Sequence, residues 1–239
     1  MANFANPSQA LLDAEHTFNL FDDFTWFVTA HQWVSTVTDG GSIAVASGAA
    51  GSVGVIQLTN DTAADNDEIY VGSTLTFTLA ANKNLYGECK LQFSEANTDD
   101  ANVAFGFASS VGADLILDNG GGMRASGTIL AIFKVDGGTA WQCVSRNGST
   151  VFTNTSSTTA GGSAFQTLGI EVVELLSTTC TVVFKVNGEI LRDATTNQPI
   201  RHQLPYSGAT AMQVFVGQKN GSANNELTSV DYIGVVQHK

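Results

Sequence analysis

The feature that most constrains the fold of this chain is the alternation of apolar and polar residues along short segments that end at turn signals. In "ECKLQFS", Cys89, Leu91 and Phe93 fall on one side of an extended chain, and polar or charged residues fall on the other. The segments "TLTFTL" and "NVAFGFA" repeat this pattern. A period of two is that of a strand with one buried face. From Phe21 onward we therefore predict long, half-buried antiparallel strands.

Turn-forming dipeptides separate these segments. Asn-Gly occurs at 147–148, 187–188 and 220–221, and Asp-Gly-Gly occurs at 39–41 and 136–138. The segment "VVFKVNGEILRD" predicts a hairpin that turns at Asn187-Gly188, because both residues tolerate the positive φ of a two-residue turn. Regularly spaced strands with such turns are typical of an antiparallel two-sheet β-sandwich.

The length of the chain fits one such sandwich. It has 239 residues, and all-β sandwiches of about 200 to 250 residues form single domains. We predict one sandwich over residues 21–239, preceded by a short N-terminal arm over residues 1–20. The arm has five residues that we predict to contact a neighbouring subunit: Phe4, Pro7, Leu11, Leu12 and Phe18. An arm packed on its own domain, or a disordered terminus, would have the same sequence.

The charge of the chain bears on its partners. Ten Lys and Arg against 22 Asp and Glu give a net charge of −12, which disfavours nucleic acid and anionic membranes as partners. The N-terminal segment has no basic and apolar signal pattern, and no apolar run is long enough for a membrane span. We therefore expect synthesis in the cytoplasm without a secretion signal.

The chain contains three widely spaced cysteines, Cys89, Cys143 and Cys180. An odd number without a Cys-x-x-Cys pair favours small buried thiols in a reducing compartment over disulfides or a zinc site.

No pattern of residues predicts catalysis, a cofactor or a metal. The Glu-x-Asp-x-x-Glu spacing of a lectin-like glucanase is absent, and the four histidines have no Ser or Cys near them in a nucleophile motif. Acidic clusters occur in "NDTAADNDE", with Asp61, Asp65, Asp67 and Glu68, and in "EANTDD", with Glu95, Asp99 and Asp100. Neither fits the EF-hand order, and we interpret both as solubilising loops rather than calcium sites.

Aromatic residues keep carbohydrate binding open as an alternative, because an aromatic face packs against the C–H groups of a sugar. The candidates are Trp26, Trp33, Trp141, Tyr70, Tyr86 and Tyr206. Trp26 lies in the aromatic-dense segment "FDDFTWFVTAHQW", which we interpret as an opening strand in which core packing is the commoner fate.

The hairpin segment "VVFKVNGEIL" followed by "LTSVDYIGVVQ" resembles the closing strands of the concanavalin A-like (laminin G-like) jelly roll. The opening "FDDF", Trp33 and "GGSIAVASGAAGSVGVIQLTN" resemble the first strands of lectin-like domains of tailed-phage virion proteins. The resemblance covers about residues 21–239. The calcium- and sugar-binding residues of the lectin families have no counterparts here, so no ligand site is carried over.

This resemblance implies a non-enzymatic structural protein of the phage virion. The expected role is that of a capsid decoration or cement protein, a homotrimer bound to the major capsid protein on the outer surface of the virion. The alternative is a carbohydrate-binding head-fibre or tail module that adsorbs the particle to host glycans. A polysaccharide-degrading enzyme is the third option, and the missing carboxylate pair argues against it.

Overall fold

The computed structural model describes most of the chain. The described residues are 17–29, 31–46, 54–60, 64–94, 100–161, 164–173, 176–223 and 225–238. Four of the predicted interface residues, Phe4, Pro7, Leu11 and Leu12, lie outside these ranges. Within them, we find no helix with the length and apolar character needed to cross a membrane.

The described residues form seventeen strands and contain no helix. In chain order the strands are β1 (Thr17–Asp22), β2 (Trp33–Thr38), β3 (Ser42–Val45), β4 (Ile56–Thr59), β5 (Glu68–Ser73), β6 (Phe77–Leu79), β7 (Leu85–Ser94), β8 (Asn102–Ala108), β9 (Thr128–Lys134), β10 (Ala140–Asn147), β11 (Thr150–Thr159), β12 (Gln166–Val173), β13 (Thr179–Val186), β14 (Glu189–Ile190), β15 (Arg201–Pro205), β16 (Thr210–Lys219) and β17 (Leu227–His238).

These strands form two antiparallel sheets. The nine-stranded sheet has the order β14-β13-β12-β7-β17-β4-β3, with β1 paired to β17 and β15 paired to β13. The eight-stranded sheet has the order β11-β10-β9-β8-β16-β5-β2, with β6 paired to β16. Sequence neighbours such as β4 and β5 lie in different sheets, so the chain crosses repeatedly between them. The predicted antiparallel β-sandwich is confirmed.

The inward faces of the two sheets form one core. Alternate residues of each strand enter it, as the period of two predicts. Cys89, Leu91 and Phe93 are all buried there, as are the large rings of Trp33 and Trp141. The ring of Phe93 meets that of Trp141 edge to face, with the ring centroids 5.9 Å apart.

The prediction of half-buried strands is wrong for β8 and β9, which are buried at every position. The cause is the connection between them, residues 109–127, which packs on the outward face of the eight-stranded sheet. We call this connection the covering segment. Its buried apolar residues Leu115, Ile116 and Met123 cluster with Phe133 and Phe215 of that face. Both faces of the sheet are therefore buried at its centre, and the side chains of β8 and β9 are mostly apolar on both faces.

The predicted hairpin at Asn187-Gly188 is confirmed. These two residues join β13 to β14 and have φ values of 52° and 84°, the backbone conformation in which Asn and Gly cost least. The inward residues of β13 are buried in the core, as predicted: Val182, Phe184 and Val186.

Strand β1 contains the boundary that we predicted between arm and sandwich. It begins at Thr17 and pairs with β17 along its whole length, so residues 17–20 belong to the nine-stranded sheet. Phe18, a predicted interface residue, packs against the core, with its ring centroid 5.4 Å from that of Phe77.

Candidate ligand-binding site

The connection between β1 and β2, residues 23–32, passes from one sheet to the other and bends soon after β1 ends. Its first bend is fixed by Asp22, whose Oδ1 accepts a hydrogen bond from the backbone N–H of Phe24 at 2.8 Å. Phe24 has a φ of 52°, which is rare for a bulky residue. Its buried ring packs against Trp33 and Phe27, at centroid distances of 5.6 and 6.1 Å. This packing holds the strained residue in place and directs the chain beyond it to the surface.

Trp26 follows this bend and lies largely in solvent, with 78% of its surface exposed. It borders a surface depression of about 310 Å³. The depression is lined by Asp22, Trp26, Val28, His31, Gln32 and Trp33. We call it the Trp26 depression. An exposed indole beside a concave surface is costly to leave in water, and it commonly marks a binding site.

The carboxylate of Asp22 is held rigidly inside the depression. Its Oδ2 accepts a hydrogen bond from the indole Nε1–H of the buried Trp33 at 2.7 Å, while Oδ1 caps Phe24. Each carboxylate oxygen has more than one lone pair, so both retain the capacity to accept a bond from a ligand hydroxyl. Asp22 is thus a preorganised acceptor next to the Trp26 ring.

The opposite wall of the depression is formed by His31 and Gln32, which are held by Thr74, a residue between β5 and β6. The Oγ1 of Thr74 donates to the carbonyl of His31 at 2.9 Å, and its backbone N–H donates to the carbonyl of Gln32 at 2.9 Å. The imidazole of His31 is exposed, and the amide of Gln32 is half-buried. Together with Asp22, these groups offer both donors and acceptors around an apolar ring, which suits a ligand with several hydroxyl groups.

The aromatic residues that we predicted as sugar-stacking candidates differ in their exposure to solvent. Trp33, Trp141, Tyr70 and Tyr206 are buried, and Tyr86 is half-buried. Trp26 is exposed because the opening strand ends at Asp22, so that Trp26 lies in a bend rather than in a strand. Our interpretation of this segment as one strand was wrong at that point.

Four residues of the depression were not predicted: Asp22, Val28, His31 and Gln32. The Asp22-Asp23 pair carried a signal, since Asp side chains commonly cap the backbone two residues on and end a strand. Nothing local to His31 or Gln32 indicates their position, which depends on the contact with Thr74.

One histidine lies next to a serine that is far from it in the sequence, so the sequence did not indicate the pair. Nδ1 of His202 lies 2.9 Å from the Ser145 Oγ, and its Nε2 lies 2.9 Å from the Asn154 Oδ1. Asn154 in turn donates to Asp193. Ser145 and His202 are buried between the sheets, and burial lowers the pKa of His202 to about 4. A hydroxyl enclosed in this way has no path to a substrate, so this pair joins the two sheets.

The residues of the two predicted acidic clusters have different environments in the structure. Asp61, Glu95 and Asp99 lie outside the described residues. Glu68 is buried on the outward face of the eight-stranded sheet and accepts a hydrogen bond from the Tyr70 hydroxyl at 2.8 Å. The ammonium group of Lys219 lies between Glu68, at 3.4 Å, Asp114, at 3.1 Å, and Asp118. The buried Glu68 is therefore paired with a cation of the protein itself.

The three cysteines are buried and form no disulfide. Burial raises the pKa of the Cys89 and Cys143 thiols well above the usual range and that of Cys180 to about 12. Thiols in this state are poor nucleophiles and poor metal ligands, and the prediction of small buried thiols is confirmed.

Solved structures with the same architecture are legume-lectin-like jelly-roll domains. The carbohydrate recognition domain of Emp47p aligns with a TM-score of 0.61 at 11% identity, over 93% of this chain and 97% of that one. Lectin II from Ulex europaeus aligns with a TM-score of 0.57 at 12% identity, over 93% and 98% of the two chains.

The legume lectin-like domain from Entamoeba histolytica aligns with a TM-score of 0.58 at 11% identity, over 90% of this chain and 95% of that one. The sequence matches no family model and no curated protein. At these identities the similarity establishes the fold alone, a concanavalin A-like jelly roll.

Proposed function

We propose that this protein is a carbohydrate-binding module that holds uncharged sugars in the Trp26 depression without chemical turnover. The observation that carries the proposal is the exposed Trp26 ring beside the fixed carboxylate of Asp22. A sugar ring has an apolar C–H face and a rim of hydroxyls. The indole packs against the first, while Asp22, His31 and Gln32 exchange hydrogen bonds with the second.

Charge favours neutral ligands. Asp22 lies in the depression, its lining residues include no Lys or Arg, and the chain has a net charge of −12. A sialylated or sulfated glycan would meet repulsion here without a compensating cation. We therefore expect neutral hexoses and their N-acetylated forms to bind in preference to anionic sugars.

The comparisons support carbohydrate binding more than a virion role. One similar structure is described as a carbohydrate recognition domain, and another is lectin UEA-II in complex with galactose. None of the similar structures named above is a virion protein. Capsid decoration, a homotrimer on the major capsid protein and a location on the outer capsid surface stay predictions. Nothing among the described residues favours them over glycan binding.

The test uses tryptophan fluorescence. Trp33 and Trp141 are buried, so Trp26 is the indole that a bound sugar would cover. We expect saturable fluorescence changes on titration with at least one of galactose, glucose, mannose and N-acetylglucosamine. Trp26→Ala should abolish the response, and Asp22→Asn should weaken binding about tenfold, because the hydrogen bond from a sugar hydroxyl to a charged acceptor is lost.

Two results would contradict the proposal. One is the absence of a saturable response to all four sugars in native protein. The other is an unchanged affinity, measured by calorimetry, in Trp26→Ala. The control is Leu176→Ala, which removes another exposed apolar side chain that does not line the depression and should leave the affinity for these sugars unchanged.

A further inference from the structure

The outward face of the nine-stranded sheet carries a row of residues that crosses five neighbouring strands, β1, β17, β7, β12 and β13. In register across these strands stand Phe21, Gly234, Glu88, Gly169 and Lys185. Because neighbouring strands lie about 4.8 Å apart, the row is about 19 Å long from Phe21 to Lys185. It alternates large side chains with glycines.

Two aromatic rings lie over glycines of neighbouring strands. A Cβ atom at Gly234 would lie 3.5 Å from the Phe21 ring, and one at Gly169 would lie 3.4 Å from the Tyr86 hydroxyl. These are ordinary van der Waals distances, so both rings pack directly against the sheet.

Tyr232 continues this surface. Its ring centroid lies 5.9 Å from that of Phe21, and the two ring planes differ by 31°. Phe21 is 65% exposed, whereas Tyr86 and Tyr232 are half-buried. We call Phe21, Tyr232 and Tyr86 the aromatic strip. Phe21 and Tyr232 present ring surface to solvent, whereas the ammonium group of Lys185 lies over the Tyr86 ring, 5.8 Å from its centroid.

A single carboxylate orients both tyrosines. The Tyr86 hydroxyl donates to the Glu88 Oε2 at 2.5 Å, and the Tyr232 hydroxyl donates to its Oε1 at 3.1 Å. Burial and the charge of Glu88 raise the pKa of Tyr232 to about 12, so its hydroxyl stays protonated and remains a donor. The strip is thus rigid before any ligand arrives.

Two ion pairs compensate most of the charge on this face. Lys185 pairs with Glu171 at 2.7 Å, and Lys90 pairs with Asp231 at 2.5 Å. The Glu88 carboxylate accepts hydrogen bonds from the two tyrosine hydroxyls. Such a face complements an uncharged partner rather than an ionic one. A second copy of the chain, with its net charge of −12, is disfavoured by repulsion.

We propose that the aromatic strip binds an extended, uncharged polysaccharide chain of the β-1,4-linked glucan type. Such a chain is a flat ribbon whose sugar rings present apolar C–H faces, which would pack against the neighbouring Phe21 and Tyr232 rings, and whose hydroxyls would reach Glu88, Glu171 and Lys185 along the row. This site lies on the outward sheet face and does not share residues with the Trp26 depression. It extends the proposed function to polymers but can fail or hold independently of it.

Affinity electrophoresis in native gels tests the proposal, with hydroxyethyl cellulose as the ligand and the flexible, α-linked dextran as the uncharged control polymer. We expect hydroxyethyl cellulose to retard the protein and dextran to have no effect. Phe21→Ala and Tyr232→Ala should each weaken the retardation about tenfold, because each removes one stacking ring. Leu176→Ala removes a similarly exposed apolar side chain (64%) outside the strip and should bind as the native protein does.

Retardation that is absent in the native protein, or equal in the native protein and Phe21→Ala, would overturn the proposal. So would a sedimentation coefficient that decreases in Phe21→Ala, which would assign the strip to contact between copies of the chain. Native protein that responds to the simple sugars without retardation by hydroxyethyl cellulose would refute the strip alone, and retardation without a response to simple sugars would refute the Trp26 depression alone. Failure at one site is thereby distinguished from failure at the other.

Discussion

Trp26 and Trp33 lie close together in sequence and have opposite environments. Trp33 begins a strand and enters the core, while Trp26 lies in a bend that Asp22 and the strained Phe24 direct into solvent. The two indoles nevertheless belong to one site, because the Trp33 N–H holds the carboxylate beside the Trp26 ring. A residue's chemical role here depends on the backbone turn in which it stands, not on its type alone.

His202 makes the stability of the protein sensitive to acid. Burial lowers its pKa from 6.5 to about 4 in the folded state, so between these values the unfolded chain binds the proton and the folded chain does not. The free energy of unfolding must therefore fall as the pH falls from about 6.5 to about 4. We expect a loss of about 2 kcal/mol between about pH 7 and pH 4.5, measured by urea unfolding.

The variant His202→Gln separates the contribution of His202 from that of the other groups that titrate over this pH range. Gln cannot titrate but can still bond to Ser145 and Asn154, so the loss between the two pH values should shrink by about 2 kcal/mol. His31→Gln, at an exposed histidine, should leave the loss unchanged. An identical pH dependence in native protein and His202→Gln would show that His202 is not the titrating group.

At the scale of elements, the covering segment explains why the central strands β8 and β9 of the eight-stranded sheet are buried on both faces. Leu115, Ile116 and Met123 of this segment bury the outward side chains of the strands beneath. Its polar anchor is Lys219, which bonds to the carbonyl of Ile116 at 3.2 Å and to carboxylates of the segment. Although burial disfavours its charged form, hydrogen bonds to Asp118 and Asp114 raise the pKa of Lys219 overall.

Removing this anchor should be costly. Lys219→Met leaves Glu68 buried without its cation, and we expect a loss of roughly 3 to 5 kcal/mol in the free energy of unfolding, measured in urea. Limited proteolysis should then cleave within residues 109–127. Adding Glu68→Gln to this variant should restore part of the loss, because the unpaired charge is gone.

The control for this prediction is Lys90→Met. Lys90 pairs with Asp231 near the surface, so its loss should cost less than about 1 kcal/mol. A Lys219→Met variant as stable as Lys90→Met would contradict the anchoring role of Lys219.

At the scale of the whole molecule, the two sheets share a continuous core to which distant parts of the chain contribute. Leu20 near the start of the described chain, Cys89 in the middle and Val235 near its end are all buried in it. Such a core is expected to open cooperatively rather than strand by strand. The three cysteines report on this, since they lie on three different strands, β7, β10 and β13, and all are buried.

We expect the thiols to react with Ellman's reagent only as fast as the molecule unfolds. In native buffer, labelling should be slow and independent of reagent concentration, whereas in denaturant three thiols should react at once. Ala223→Cys, at an exposed loop position, should add one thiol that reacts rapidly in native buffer. Rapid native labelling of Cys89, Cys143 or Cys180 would contradict a uniformly closed core.

The sequence by itself determined the strands, the Asn187-Gly188 turn and the two-sheet sandwich, because alternation and turn chemistry act between residues that are close along the chain. It also indicated which residues of β7 and β13 enter the core. Only the tertiary structure decided that the covering segment buries a second sheet face, that Trp26 is exposed above Asp22, and that Phe21 aligns with Gly234 and Glu88. Those arrangements depend on which distant strands become neighbours, and no local pattern encodes sheet order.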